Sequence, residues 1–165
     1  MTLIVTDEPP DRPAWLSETI RLLIEGMDGW RAQLMERVKE ATDAQLAAGS
    51  DEDWGLGQIA VHLLLIERGV ALIALRLARG EPPGATGQPR PNASAVTRDG
   101  IGRLAAKAAD TTGGLAAQFP SAPDLGAVAR HPYYGDLNAF GWLLTLSNHY
   151  EAHLGALARG TKSSL

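Results

Sequence analysis

The segment 54–79 limits the fold more than any other part of the chain, because its apolar residues cannot share one stripe of a helix. At about 100° per residue, Leu56, Ile59, Val61, Leu63, Leu64, Leu65, Ile66, Val70, Leu72, Ile73, Leu75 and Leu77 occupy most of the circumference. A helix of this kind is either central to its own bundle or shared with a second subunit. The all-round apolar character suggests a homodimer, with the spare face of this helix buried against another subunit. His62, Glu67, Arg68 and Arg76 interrupt the run, so it reads as a buried helix and no membrane partner is expected. Gly80 and the Pro82-Pro83 pair end it.

Three further helices follow from the same periodicity. Trp15, Ile20, Leu23, Met27, Trp30, Leu34 and Val38 recur at helical spacing and predict a first helix over 14–47. Val96, Ile101, Leu104, Ala108 and Leu115 predict a third over 94–118, with a weak spot at Gly113-Gly114. The last runs from Asp136 to Ala158 and stops before Gly160. Residues 84–91 read as a flexible, proline-rich connection and 119–135 as a loop, and nothing alternates over enough residues to suggest a sheet. The expected class is therefore all-α, a four-helix bundle. At 165 residues with 45% hydrophobic composition the chain supports one domain, placed at 14–160 between an N-terminal arm, 1–13, and a short tail, 161–165.

Charge and cysteine content narrow the function. The formal net charge is −4 and the basic residues are scattered among acidic ones, which removes the electrostatic footprint of nucleic-acid binding. With no cysteine, there is no disulfide and no nucleophilic thiol, and any metal must be held by nitrogen and oxygen. The first residues carry acids and prolines where a secretory signal would be basic and then apolar, so the expected address is cytoplasmic.

His149 and His153 stand four residues apart, hence about 40° apart around a helix and about 6 Å apart along it. Two imidazoles at that spacing can take adjacent positions on one ion. Trp142, Thr145 and Leu146 share their face, which points the pair toward the packed side. His62, among Ile59, Leu65 and Ile66, also faces an apolar interior. A single inward histidine is most simply a hydrogen-bonded core residue. Burying three costs stability unless each finds a partner, and one shared cation supplies partners for all. Neutral imidazole suits zinc, nickel, iron or copper.

A tryptophan opening the second helix with a histidine eight residues later, Trp54 and His62, is followed by His131-Pro132-Tyr-Tyr-Gly135 and by Asn148-His149-Tyr-Glu-Ala-His153. In order and spacing this resembles the DinB-like, metal-dependent four-helix proteins, over about residues 14–160. The resemblance implies that His62, His149 and His153 are a histidine triad for a divalent ion, nickel or zinc first and iron or manganese next, with positions left open for a ligand. It also implies thiol-dependent chemistry on a small-molecule substrate, as in transferases using bacillithiol or mycothiol and a mycothiol-dependent isomerase of maleylpyruvate. A low-molecular-weight thiol would then be the co-substrate. A metal-dependent hydrolase, and a stress-response or ligand-binding module without turnover, stay open beside the thiol transferase or isomerase.

The remaining polar residues read as support. His131 precedes a proline in a turn and is taken as structural, with a rim role as the lesser alternative. Tyr133, Tyr134 and Asn138 lie near enough to the last helix to line a pocket mouth. Gln58, one turn before His62, is a candidate to orient that ring, against the plainer reading of a glutamine satisfied by backbone. Glu67 is about 140° from His62 by periodicity and reads as a helix-surface or inter-helix hydrogen-bonding group. Trp30, Trp54 and Trp142 are expected in the core.

Overall fold

The computed structural model describes residues 8–159. Its elements run α1 (Ala14–Glu40), α2 (Asp43–Ala47), α3 (Leu56–Ala78), α4 (Arg98–Gly113), α5 (Leu115–Gln118), β1 (Ala129–His131), β2 (Gly135–Leu137) and α6 (Ala139–Arg159). Long helices α1, α3, α4 and α6 form the four-helix bundle, and α3 packs against each of the other three.

Most of the apolar surface of α3 is covered within this one chain, while Leu72 stays 42% exposed. Ala60, Val61, Leu63, Ala71 and Ala74 are fully buried on different sides of it. The helix is long and apolar enough to cross a membrane by length and composition, with a mean hydropathy of 1.7, but 72% of that window is buried inside the fold. Its end is set by Gly80 at φ 69°, which lets the Gly80 N–H reach the Leu77 carbonyl and the Glu81 N–H reach that of Arg76, both at 2.9 Å. At its start the helix touches the end of α2 closely: a Cβ on Gly57 would stand 2.1 Å from the Leu46 carbonyl oxygen.

Several boundaries differ from the sequence reading, each for a local reason. The first predicted helix is two, because Thr42 and Gln45 form a reciprocal capping box that starts α2 afresh. The third breaks at Gly114, as its paired glycines suggest, and α4 begins where Thr97 accepts a hydrogen bond from the Gly100 N–H. The last helix starts at Ala139, not Asp136, because Asn138 caps it by accepting from the Gly141 N–H. Asp136 and Leu137 belong instead to a small antiparallel hairpin that the sequence does not announce, with His131 opposite Gly135 and Ala129 opposite Leu137. The expected arm is partly tied down: Arg12 is buried and its guanidinium donates to the carbonyls of Ala116 and Phe119. Residues 1–7 of that arm and the tail 161–165 lie outside the described residues.

A buried polar cluster crosses the bundle interior. Glu67 of α3, wholly buried, accepts from Arg31 of α1 at 2.6 Å, Thr112 of α4 at 2.9 Å and Tyr150 of α6 at 2.7 Å. Of the two roles open to Glu67, the structure selects the inter-helix hydrogen-bonding one. One carboxylate thus engages all four long helices and fixes the relative height of α3 and α6, the two that carry the histidine triad. Trp30 stacks beside Tyr150 at 6.3 Å between ring centroids.

Candidate metal centre

His62 from the first half of α3 and His149 and His153 from the middle of α6 meet in the bundle, with one nitrogen from each ring lying within 4.8 Å of the others. The two-helix arrangement follows from packing: Leu63 and Leu64 beside His62, and Tyr150 and Leu154 beside the α6 pair, are buried in one apolar cluster that presses these faces together. His62 and His153 are buried and His149 is half-buried.

Hydrogen bonding fixes how His62 presents itself. Its Nδ1–H donates to the Pro89 carbonyl at 2.8 Å, so the neutral ring keeps the lone pair of Nε2 for the cluster. That Nε2 stands 3.0 Å from Nε2 of His149. Without a cation, nitrogens this close share one proton, with His149 donating. Two nitrogens bound to one ion at about 2.0–2.1 Å stand about 2.9 Å apart at a right angle and about 3.4 Å apart at the tetrahedral angle. The His62–His149 spacing falls in that range, the third nitrogen lies within 4.8 Å of both, and a set of three imidazoles fits zinc or nickel. The triad can therefore hold a metal ion.

Electrostatics favour the neutral, ligating form of each ring. Burial pushes His149 down to about 3, helped by repulsion from His153, His62 and His131. Burial and then His62 push His153 down to about 4. His62 is also lowered by burial, against the opposing pull of the Pro89 carbonyl. Protons consequently compete poorly for these nitrogens near neutral pH.

A cavity of about 240 Å³ opens beside His149, walled by Ile66, Val70 and Ile73 of α3, Trp142 and Thr145 of α6, and the segment 85–89. The connection read as a flexible linker is thus a wall of the cavity and the source of the carbonyl that orients His62. His131 of β1 also lines the cavity, under the ring of Trp142 at 4.8 Å, with Trp142 anchored by its indole N–H to the Ala129 carbonyl.

Four supporting residues, Gln58, Asn138, Tyr133 and Tyr134, take no part in the triad or the cavity lining. Gln58 does not orient His62; its side chain accepts from the Gly55 N–H and donates to the Ser50 carbonyl, which is the plainer alternative. Asn138 caps α6, and Tyr133 and Tyr134 are more than half exposed on the hairpin turn and are not among the cavity's lining residues. Trp54 is half-buried and packs on the His62 ring at 4.9 Å between centroids. The contribution of Pro89 left no signal, since a carbonyl is offered by every residue. His131 lines the cavity, in keeping with the rim role that the sequence reading held as its lesser alternative.

Among curated proteins none matches the chain. The crystal structure of TT2238, a four-helix bundle protein, is similar in fold, with a TM-score of 0.64 at 24% identity over 84% of this chain and 96% of that one. The family model of the DinB superfamily matches residues 7–157, nearly the whole of the described fold, and the chain belongs to that superfamily.

Proposed function

We propose that this protein is a metal-dependent enzyme that activates a low-molecular-weight thiol toward a small electrophile, as an S-transferase or isomerase. His62, His149 and His153 would hold the ion, nickel or zinc first and iron or manganese next. The observation that carries the reading is the convergence of three neutral imidazoles, one of them His149, beside an apolar cavity. When bound, the ion supplies a Lewis acid that favours the deprotonated form of a thiol at neutral pH. The chain's residues do the rest: the Pro89 carbonyl orients His62, Trp54 braces that ring, and Ile66, Val70, Ile73 and Trp142 keep bulk water from the reacting groups. No cysteine is present, so the sulfur comes from the co-substrate.

The same reading places the protein in the cytoplasm, where small thiols are kept reduced. It also includes the homodimer expected from the sequence, with exposed Trp15, Leu22, Leu72 and Leu144 as the apolar side chains a second copy would cover. Elemental analysis of protein purified without an affinity tag should give about one metal per chain, and the double variant His149→Ala/His153→Ala should have lost it. Retained metal in that variant rejects the site. Turnover of a general electrophile with a panel of small thiols, before and after chelation, then tests the chemistry, and turnover unaffected by chelation counts against it.

A further inference from the structure

His131 is the histidine that the triad does not use, yet it is 94% buried, counting from its 6% exposure, and it lines the same cavity as His149. Its Nδ1 accepts a hydrogen bond from the Tyr133 N–H at 3.1 Å, within the hairpin turn. The neutral ring, favoured because burial lowers its pKa, must therefore carry its proton on Nε2. With Nδ1 turned back to the hairpin, Nε2–H is left for the cavity that the ring lines. Trp142 and Tyr134 pack against the imidazole at 4.8 and 4.9 Å between ring centroids. A donor on a ring with only 6% exposure, held by its neighbours and turned to a mostly apolar cavity, is the pattern of a group that positions a ligand.

We propose that the cavity binds a compact, mostly apolar molecule bearing a carbonyl-type oxygen, which accepts a hydrogen bond from Nε2–H of His131. Size sets one limit: a 150 Å³ apolar cavity holds benzene, so about 240 Å³ takes a ligand of about ten non-hydrogen atoms. Chemistry sets the other. Ile66, Val70, Ile73 and Trp142 offer apolar contact, and among the described residues no Lys or Arg side chain lines the cavity, which disfavours a strongly anionic ligand. Because His149 lines the same space, an oxygen held by His131 keeps the rest of the molecule beside the triad. The electrophile of the proposed reaction would belong to this class. Only that last step rests on the thiol-transfer reading; binding to the cavity does not require a metal.

The test compares acetophenone with α-methylstyrene, which share shape and atom count and differ in the carbonyl oxygen. Binding of each to the full-length protein is followed by NMR titration, with and without zinc, together with the imidazole nitrogen signals of histidine-labelled protein. Acetophenone should bind about fivefold more tightly, the effect of one neutral hydrogen bond, and it alone should shift the Nε2–H signal of His131. In His131→Phe, which keeps an aromatic ring against Trp142, the preference should vanish while α-methylstyrene still binds. Equal affinity of the two probes in the wild-type protein, no binding of either at millimolar concentration, or a preference that persists in His131→Phe each overturns the proposal. A preference seen only with zinc also overturns it, because the oxygen would then be held at the triad. A preference in a protein that binds no zinc leaves His131 in this role and removes the metal-dependent reading instead.

Discussion

Replacing Glu67 by alanine removes the single acceptor on which Arg31, Thr112 and Tyr150 converge, and the cost can be worked from the burial of each group. Glu67 has no exposed side-chain surface and the Arg31 side chain is 10% exposed, so the guanidinium keeps only Asp28, at 2.8 Å and 54% exposed, as its counter-ion. Breaking a buried pair by deleting one partner costs about 3–5 kcal/mol, because the remaining charge stays in the interior without compensation. The hydroxyls of Thr112 and Tyr150, 2.9 and 2.7 Å from the lost carboxylate, add to this unless water enters the space, and the contributions do not simply sum. For a domain of this size the loss lowers Tm by about 6–20 °C, taking about 2–4 °C per kcal/mol. Urea unfolding followed by circular dichroism, read by linear extrapolation, measures it. The double variant Arg31→Met/Glu67→Leu removes both charges and should recover most of the loss. A Glu67→Ala protein within 1 kcal/mol of wild type, taking that as roughly the worth of one ordinary hydrogen bond, would refute this account. So would a double variant no more stable than the single one.

Four shorter expectations follow from the site and its supports. Excess zinc at about a hundred times its Kd should stabilise the wild-type protein by about 2.7 kcal/mol, and His153→Ala should abolish the shift in Tm; an equal shift in that variant places the ion elsewhere. In metal-free protein, stability should fall as pH drops from about 6.5 toward the values of about 4 and 3 held by His153 and His149. The sign follows because unfolded imidazoles take up protons in that window while the folded ones do not; an unfolding free energy flat across it argues against neutral, buried rings. Gly57→Ala should cost more than the ordinary helix preference would give back, since its Cβ meets the Leu46 carbonyl at 2.1 Å, and urea midpoints compared with a Gly69→Ala control, which meets nothing, decide it. Light scattering at micromolar concentration should give twice 17.5 kDa, and a stable monomer would remove the dimer from the proposal.

Periodicity made the four long helices legible because each keeps helical spacing of buried residues over several turns, as a stripe in α1 (Ile20, Met27, Leu34 and Val38) and over most of the circumference in α3. The hairpin was not legible, since strands of three residues are too short to alternate, and Asp136 and Leu137 look like the start of the helix that Asn138 actually caps. The break before α2 was written in Thr42 and Gln45, but the helical pattern running on either side of it conceals so local a signal. Spacing brought His149 and His153 to one face, whereas the approach of His62 to within 3.0 Å of His149 depends on the packing of α3 on α6, which no spacing encodes. Glu67 shows the same limit from the other side: a charge on an apolar helix discloses that it needs a partner, and Arg31 lies 36 positions away in sequence.

The hydrogen bond from His62 to Pro89 joins two things that are usually separate. Residues 85–89 are a wall of the cavity, and the last of them also sets the tautomer of a triad imidazole. An occupant that displaced that wall would change the length of the same bond, and with it the electron donation of the ring's other nitrogen. Such coupling would make the cavity and the triad one mechanical unit, with the affinity of the triad for an ion linked to the affinity of the cavity for a guest, so that each could be read out through the other.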